Sequence, residues 1–244
     1  MDEEEILQVF ERSGALLRNT HVVLTKKEFP KGSGDLHWFH SDQYVNKDAL
    51  FTRPHDLACL GAEIAEHYDG RGIEIVVGPA VGAVGLSLLV GSNLQLLEED
   101  ESRVIPVYAE KGVDGEFIIR GYFATLIPGK RVLVVEDVAS SGGSAKRVVE
   151  AVRKAEGIVD DVAFLWNRGR VTPADLGVNE VFSLLESEMP MFIAEEDGQC
   201  PLCRDRIPID KRVGKWKEYL EEKARGDSRF ADWCRSLLHF NEKI

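Results

Sequence analysis

The fold is decided by residues 132–144, which read Val132-Leu133-Val134-Val135-Glu136-Asp137-Val138-Ala139-Ser140-Ser141-Gly142-Gly143-Ser144. An uninterrupted run of branched apolar residues is typical of a strand that is covered on both faces of a parallel sheet. Two acids, a loop of small residues and the apolar stripe of a helix follow in that order. We therefore predict a strand–loop–helix turn in which backbone N–H groups at the helix N-terminus bind a phosphate.

Strands and helices alternate on either side of this turn. The predicted strands cover residues 73–77, 104–107, 162–166 and 181–185, and helices are predicted near residues 57–64, 83–90 and 145–152. This alternation predicts an α/β fold, with a parallel sheet that has helices on both faces.

The two ends of the chain have other patterns. An N-terminal helix is predicted because Ile6, Val9 and Phe10 share one face, with Leu17 two turns on. Residues 21–54 are irregular, with a short strand at 22–24 and a glycine-rich loop that carries residues 37–40. We predict three segments: an N-terminal helix and hood region (1–56), a core (57–194) and a C-terminal helical appendage (195–244).

Composition excludes several classes of protein. The formal net charge is -12, from 42 acidic and 30 basic residues, and no basic run favours nucleic-acid binding. No apolar stretch of the length that spans a membrane is present, and the acidic residues 2–5 do not resemble a signal peptide. Four cysteines in 244 residues are too few for a disulfide scaffold. We expect a cytoplasmic protein.

The acids beside the phosphate turn narrow the choice of ligand. Glu136 and Asp137 would repel a bare phosphate chain, but they suit a ligand that presents hydroxyl groups or Mg²⁺, as a ribose phosphate does. The turn has neither the Gly-Lys-Ser/Thr ending of a Walker loop nor the G-x-G-x-x-G pattern of dinucleotide-binding proteins. The alternative is a plain turn with capping glycines and serines and two surface acids.

This order of residues resembles the motif of type I phosphoribosyltransferases that binds 5-phosphoribosyl-1-pyrophosphate (PRPP). The resemblance implies that Glu136 and Asp137 approach the ribose 2- and 3-hydroxyls. It also implies that the 5-phosphate is held by the following segment, which consists of Val138, Ala139, Ser140, Ser141, Gly142, Gly143 and Ser144.

Within that family, further segments resemble the orotate enzymes. Residues 40–47, with Tyr44, Asn46 and Lys47, resemble the element that closes over the pyrimidine. Residues 78–82, with Val81 and Gly82, resemble the pyrophosphate loop. Residues 109–111 and 120–122 resemble the mobile catalytic loop and its return arm.

Arg168, at the end of a predicted strand, matches the arginine that meets the orotate carboxylate, a role that suits a bidentate guanidinium group. The alternative for Arg168 is a solvated surface arginine.

The resemblance implies transfer of the phosphoribosyl group from PRPP to orotate, with Mg²⁺ carried by PRPP, in a homodimer. The catalytic residues implied are Glu110, Lys111 and Asp137, with Lys111 on the mobile loop. The alternative for Lys111 is a plain surface lysine.

Two features depart from the family pattern: Gly82 stands in place of a lysine, and the mobile loop has a single lysine. They leave a PRPP-binding regulator without turnover as a second hypothesis. A purine-type transferase is another. Trp38 and Phe39 lie in an apparent insertion at 29–39, where they either stack on a substrate or pack in the core.

The C-terminal segment contains a C-x-x-C step at Cys200 and Cys203, which is half of a possible zinc site. The nearest candidates for the other half, Cys234 and His239, would be about 140° apart on a continuous helix and would not face one ion. Cys234 also suits a core position. A zinc-dependent interaction protein built on the C-terminal segment is nevertheless a third hypothesis, because the C-x-x-C step is present. Helices predicted at 215–224 and 229–240 would pack on the core or at a dimer interface.

Overall fold

The computed structural model describes residues 1–30, 32–97, 103–194 and 200–226, with side chains to residue 223. The strands are β1 (Leu16–Leu17), β2 (Val22–Glu28), β3 (Leu36–Ser41), β4 (Tyr44–Val45), β5 (Ile75–Pro79), β6 (Ile105–Lys111), β7 (Phe117–Ile118), β8 (Arg131–Ala139), β9 (Ile158–Asn167), β10 (Glu180–Leu185) and β11 (Phe192–Ile193). The helices are α1 (Glu3–Arg12), α2 (Lys47–Phe51), α3 (Pro54–Tyr68), α4 (Val84–Leu97), α5 (Tyr122–Leu126), α6 (Gly143–Lys154), α7 (Pro173–Leu176), α8 (Pro201–Arg204) and α9 (Trp216–Gly226).

The chain forms two compact units. The first combines Met1–Ala15 with Lys47–Glu188, and the second combines Leu16–Asn46 with Met189–Ile244. Each unit therefore draws on segments that are distant in sequence, whereas the three predicted segments are consecutive. No helix of the described ranges has both the length and the apolar character needed to cross a membrane.

The first unit is built on a six-stranded sheet with the order β10-β9-β8-β5-β6-β7. All neighbouring pairs are parallel except β6–β7, which is antiparallel. After β5 the chain first adds β6 on one side and later adds β8, β9 and β10 on the other. The strand order thus reverses between β5 and β8, and open α/β sheets bind their ligands outside the carboxyl ends of the strands at such a point.

Both faces of this sheet are buried, which confirms the α/β prediction. Ile75, Val77, Val132 and Val134 belong to a core cluster with the apolar stripe of α6. Val76, Leu133 and Val135 alternate with them and are also fully buried, so they face the opposite layer. The run at 132–135 is apolar throughout because neither of its faces meets water.

The second unit contains an antiparallel sheet with the order β11-β3-β2. In the same unit, β1 pairs antiparallel with β4. Its core cluster joins Val23 and Trp38 to Ala194, Tyr219 and Leu220. The Trp38 ring meets the Tyr219 ring edge-to-face, with centroids 5.6 Å apart. Core packing, rather than substrate stacking, therefore accounts for Trp38.

Several sequence predictions of local structure are wrong. The first helix ends at Arg12, and Leu17 lies in β1. Residues 37–40 form part of β3 instead of a loop, because their alternate side chains pair and pack across a hairpin. The return arm expected at 120–122 does not pair with β6: the pairing is made by β7, and α5 begins at Tyr122. The helix predicted at 229–240 lies outside the described residues.

Candidate active site

The predicted phosphate turn joins β8 to α6. β8 continues through Glu136 and Asp137 to Ala139, so the two acids lie within the strand and not after its end. Gly142 caps the helix with a left-handed φ of 69°. A Cβ atom at this position would also come within 2.7 Å of Val171 Cγ1. Only glycine satisfies both the backbone angle and the contact.

The N-terminus of α6 is available to an anion. The first four N–H groups of a helix have no partner within the helix, and the partial positive charge of the helix end adds to them. α6 is 12 residues long; its cap residue Gly142 has no side chain to bond these groups, and of the first residues of α6 only the Ala145 N–H is described as bonded to a side chain, that of Glu136. Ser140 and Ser141, just before it, are exposed, so their hydroxyl groups are also accessible.

The carboxylates of Glu136 and Asp137 are buried beside this turn, with 9% and 5% of their surface exposed. Burial, and next the negative charge of Asp137, raise the pKa of Glu136 to about 7; Lys47, the Ser144 hydroxyl and the Ala145 N–H oppose this rise. Asp137 Oδ1 accepts a hydrogen bond of 2.6 Å from the Val138 N–H. The site therefore places two buried acids next to each other near the end of one strand, and the pKa of Glu136 is raised.

Lys47, at the start of α2, supplies a cation to this pair. Its Nζ lies 3.1 Å from Asp137 Oδ2, with the geometry of an ion pair and not of a well-directed hydrogen bond. Burial lowers the pKa of Lys47, but the charge of Asp137 and its other acidic neighbours outweigh burial and raise the pKa overall. A Cβ atom at Gly82 would collide with Lys47 Nζ and lie 2.8 Å from Asp137 Oδ2. Glycine at 82 thus leaves room for this ion pair.

The loop between β5 and α4 carries Gly82 to this position. The Ala80 N–H donates to the Ala109 carbonyl on β6 at 2.7 Å, and the Ala83 N–H donates to the Pro79 carbonyl at 2.9 Å. Val81, at the tip, is 87% exposed. The loop is therefore anchored at both ends, while its tip is open to solvent.

Arg168 follows β9 and contacts the phosphate turn. Its Nε donates to the Ser140 hydroxyl at 2.8 Å. The backbone N–H groups of Arg168 and Gly169 both donate to the Ala139 carbonyl at 3.1 Å. A Cβ atom at Gly169 would collide with the Ser140 carbonyl oxygen. The two loops consequently touch through backbone atoms.

Asn167 orients the loop that carries Arg168, and sequence reasoning missed this residue. Its amide nitrogen donates to the Val171 carbonyl at 2.9 Å, and its amide oxygen accepts from the Val171 N–H at 2.8 Å. Asn167 is 2% exposed. A polar amide directly after the apolar residues 162–166 was the available signal, because a buried amide needs such partners.

Glu110 and Lys111 are the last two residues of β6, so Lys111 is not on the loop as predicted. They pair with Ile118 and Phe117 of β7, and this short ladder keeps them in the strand. Glu110 Oε2 lies 3.6 Å from Arg120 Nε. Lys111 is exposed. The predicted loop is thereby reduced to a tight turn at residues 112–116.

Tyr44 and Asn46 belong to the second unit, Tyr44 in β4 and Asn46 directly after it, and both are half-buried. The other predicted residues of the substrate site belong to the first unit. The first unit brings an open helix N-terminus, two buried acids and a lysine together beside the sheet reversal between β5 and β8. Such a set of groups suits a ligand with a phosphate and neighbouring hydroxyl groups.

Comparison with known proteins agrees with this geometry. No family model matches the chain. The chain is 34% identical over 212 residues to the orotate phosphoribosyltransferase of Chlorobaculum parvum. The aligned region covers 86% of this chain and 95% of the relative. The orotate phosphoribosyltransferase of Aeropyrum pernix has a similar fold, with a TM-score of 0.53 and 24% identity over 74% of this chain and 93% of that one.

A second solved structure, that of the Mycobacterium tuberculosis orotate phosphoribosyltransferase in complex with PRPP, has a TM-score of 0.52 and 21% identity over 76% of this chain and 96% of that one. At these identities the solved structures bear on the fold alone. The curated relative carries the assignment, since its identity extends over most of both chains. This chain belongs to the orotate phosphoribosyltransferase family.

Proposed function

We propose that the protein transfers the phosphoribosyl group of PRPP to a ring nitrogen of orotate, giving orotidine monophosphate and pyrophosphate. One observation carries the proposal: the open N-terminus of α6 and the buried acids of β8 lie in one turn at the sheet reversal. The family of the chain supports the same reaction, because its curated relatives are named for it.

PRPP would bind along the β8–α6 turn. The 5-phosphate would accept hydrogen bonds from Ser140, Ser141 and the backbone of residues 142–144, where an anion is stabilised by the helix end. Val138 and Ala139, the last two residues of β8, would also line the phosphate site. Glu136 and Asp137 would accept hydrogen bonds from the ribose 2- and 3-hydroxyls. In this arrangement the sugar, not the phosphate, faces the acids.

The pyrophosphate would extend toward the β5–α4 loop, where the backbone of Val81 and Gly82 would meet it. Lys47 would add positive charge there, because its Nζ lies beside Gly82. This lysine is relevant to the alternative of a regulator without turnover, which was suggested by the absence of a lysine at position 82. A cation beside that loop from another element favours the transferase.

The residues of this site fit Mg²⁺. Carboxylate oxygens are ligands that Mg²⁺ prefers, and the repulsion that helps to raise the pKa of Glu136 is relieved by a nearby cation. Glu136 and Asp137 would hold the ion together with PRPP. When bound, Mg²⁺ neutralises charge on the departing pyrophosphate. The metal requirement remains a prediction.

Orotate would be recognised by Arg168, whose guanidinium fork suits a planar carboxylate. Its contact with Ser140 holds it next to the proposed PRPP site. This position favours an acidic base over the purines of the alternative hypothesis, since a purine base has no carboxylate. Contributions from Tyr44 and Asn46 to the same base remain predictions.

Asp137 and the exposed Lys111 would stabilise charge in a transition state of oxocarbenium character, where positioning and electrostatics dominate. Glu110 would orient this end of β6 through Arg120. We also expect a homodimer and a cytoplasmic location, as the family resemblance implies.

The test is a panel of bases, assayed for pyrophosphate release from PRPP with Mg²⁺. Release with orotate, and not with adenine, hypoxanthine or uracil, is the expected result. Asp137→Asn should abolish most of the release, whereas Asp160→Asn, on β9, should leave it unchanged. Pyrophosphate release with a purine base alone would identify a purine-type transferase instead. PRPP binding without release for any base would establish the regulator instead.

A further inference from the structure

Four side chains that bind metals in proteins meet in the second unit: His21, His40, Cys200 and Cys203. One ligand atom from each lies within 4.8 Å of the other three. His40 Nδ1 is 2.8 Å from His21 Nε2, 3.3 Å from Cys203 Sγ and 3.7 Å from Cys200 Sγ. Cys203 Sγ is 3.8 Å from His21 Nε2. The four ligand atoms are therefore close enough together to approach one ion.

Two elements of the fold create this cluster. β2 and β3 pair antiparallel, with Val22 opposite Ser41 and Val23 opposite His40. His21, directly before β2, therefore lies next to His40 on β3. Cys200 caps α8 and Cys203 lies in its only turn, so the C-x-x-C step directs both sulfur atoms to one side. The hairpin and the C-terminal segment each supply half of the set.

The spacing of the four atoms suits a tetrahedral ion. With Zn–S bonds of about 2.3 Å and Zn–N bonds of about 2.0–2.1 Å, the ligand atoms of such a site lie roughly 3.3–3.8 Å apart. Three of the four distances given above fall within that range. The His21–His40 distance of 2.8 Å is about 0.5 Å shorter, so these two rings must separate a little when an ion binds. A set of two thiolates and two imidazoles in this geometry selects zinc among the common metals.

The hydrogen bonds around the cluster also point to a cation. His21 Nδ1 lies 2.6 Å from the Ile207 carbonyl, to which it donates, and this leaves the Nε2 lone pair directed at the cluster. Histidines that bind metals are oriented by such a bond from the other ring nitrogen. His40 is fully buried, and its Nε2 has no hydrogen-bond partner among the described residues. His40 thus makes its contacts through Nδ1, the atom that faces the cluster.

We propose that His21 Nε2, His40 Nδ1, Cys200 Sγ and Cys203 Sγ bind one structural zinc ion. Two thiolates and two neutral imidazoles balance the charge of Zn²⁺, and binding releases the two thiol protons. His21, His40 and Cys200 are at most 2% exposed, so four protein ligands close the site and leave no position for a substrate. The role is structural, and it is independent of the proposed transferase reaction.

The zinc ion would join the C-terminal segment to the β2–β3 hairpin. Among the described residues, the hydrophobic cluster of this unit has five buried members, and three of them lie beyond residue 193. A small core of this kind is commonly supplemented by a structural metal. Removing the ion should therefore detach residues 200–226 from the hairpin before the sheet of the first unit unfolds.

The experiment measures zinc in the full chain purified under reducing conditions, by mass spectrometry of the metal content. We expect about one zinc per chain, and X-ray absorption should show two sulfur and two nitrogen ligands at the bond lengths given above. Substituting Co²⁺ should produce the intense visible bands of a tetrahedral thiolate site. These measurements use the wild-type chain, so they do not depend on the folding of any variant.

Variants then assign the ligands. Cys203→Ser and His40→Ala should each lower bound zinc to near zero, while Cys59→Ser and Cys234→Ser should retain about one ion per chain. Cys59 lies in α3 of the first unit. Loss of zinc in Cys234→Ser would overturn the ligand set. The proposal also fails if the reduced wild-type chain binds no stoichiometric zinc, or if Cys200 and Cys203 form a disulfide that excludes metal.

Discussion

Lys47 and Asp137 form an ion pair, with Nζ 3.1 Å from Oδ2, although one residue opens α2 and the other lies in β8. The side chain of Asp137 is 7% exposed and that of Lys47 is 42% exposed. The lysine therefore compensates a buried carboxylate from the solvent side. Gly82 is the third member of this contact, because any side chain there would displace the lysine.

Lys47→Met should impair both PRPP use and stability. The buried carboxylate loses its cation, and we expect the free energy of unfolding to fall by about 1–2 kcal/mol, between the values for exposed and buried pairs. KM for PRPP should rise about tenfold, equivalent to about 1.4 kcal/mol. Urea unfolding and steady-state kinetics measure the two effects.

The control is Lys130→Met, which breaks a pair with Glu74 in which both side chains are more than 40% exposed. This substitution should lower the free energy of unfolding by less than about 0.5 kcal/mol and leave KM for PRPP unchanged. Equal effects of the two substitutions would contradict a special role for Lys47.

Glu136→Gln should change how stability depends on pH. In the folded protein, burial and the Asp137 charge raise the pKa of Glu136 to about 7 from an ordinary value of 4.5. The stability contributed by its protonated form is complete below pH 4.5 and is lost as the pH rises toward 7. Relative to wild type, the variant should gain stability across that window, by up to about 3 kcal/mol, and then level off.

Glu74→Gln is a control in which the dependence of stability on pH has the opposite sign. Hydrogen bonds from Lys130 and from the Arg131 N–H lower the pKa of Glu74, so its contribution is present above pH 4.5 and is lost as the pH falls below that value. Chemical denaturation of both variants and wild type at intervals between about pH 3 and pH 8 measures these differences. A constant difference between Glu136→Gln and wild type across the range would refute the raised pKa.

Gly169→Ala should weaken PRPP binding by separating two loops. The added methyl group collides with the Ser140 carbonyl, so the phosphate turn or the Arg168 loop must move. We expect the Kd for PRPP to rise by about tenfold or more, as small displacements of positioning groups are costly. Calorimetric titration with PRPP and Mg²⁺ measures it.

Gly91→Ala, in α4, is the matched control. Its methyl group would approach Pro106 Cβ only to 3.4 Å, and alanine favours the helix. PRPP affinity should be unchanged in this variant. A Gly169→Ala protein with wild-type affinity would show that the contact between the loops does not position the site.

Arg168→Lys should affect orotate more than PRPP. Lysine keeps the charge but loses the planar fork and the bond from Nε to the Ser140 hydroxyl. KM for orotate should rise about tenfold, while KM for PRPP should change by less than about threefold. Steady-state kinetics with each substrate varied in turn separates the two effects.

Arg170→Lys serves as the control, because Arg170 lies in the same loop and pairs with Glu188 at the surface. Neither KM should change. A larger rise in KM for PRPP than for orotate in Arg168→Lys would assign Arg168 to the phosphoribosyl donor instead of the base.

The phosphate turn was predictable because its chemistry is local. The apolar run, the two acids, the glycines and the helix follow one another in residues 132–144, and each signal acts within a few residues of the next. The parallel sheet was predictable for the same reason, because the hydrophobic periodicity of each strand and helix is contained within its own segment. Boundaries were less certain, as β8 shows by extending through both acids.

Contacts between distant segments required the tertiary structure. The sequence identified Cys200 and Cys203 but suggested Cys234 and His239 as partners, which lie outside the described residues. The histidines that meet the pair are His21 and His40, because antiparallel pairing of β2 and β3 sets them side by side and the chain returns to them after residue 199. Lys47 likewise reaches Asp137 only through the fold. The sequence determined which groups can bind an anion or a metal, and long-range packing decided which of them meet, since no periodicity in a chain records the pairing of remote segments.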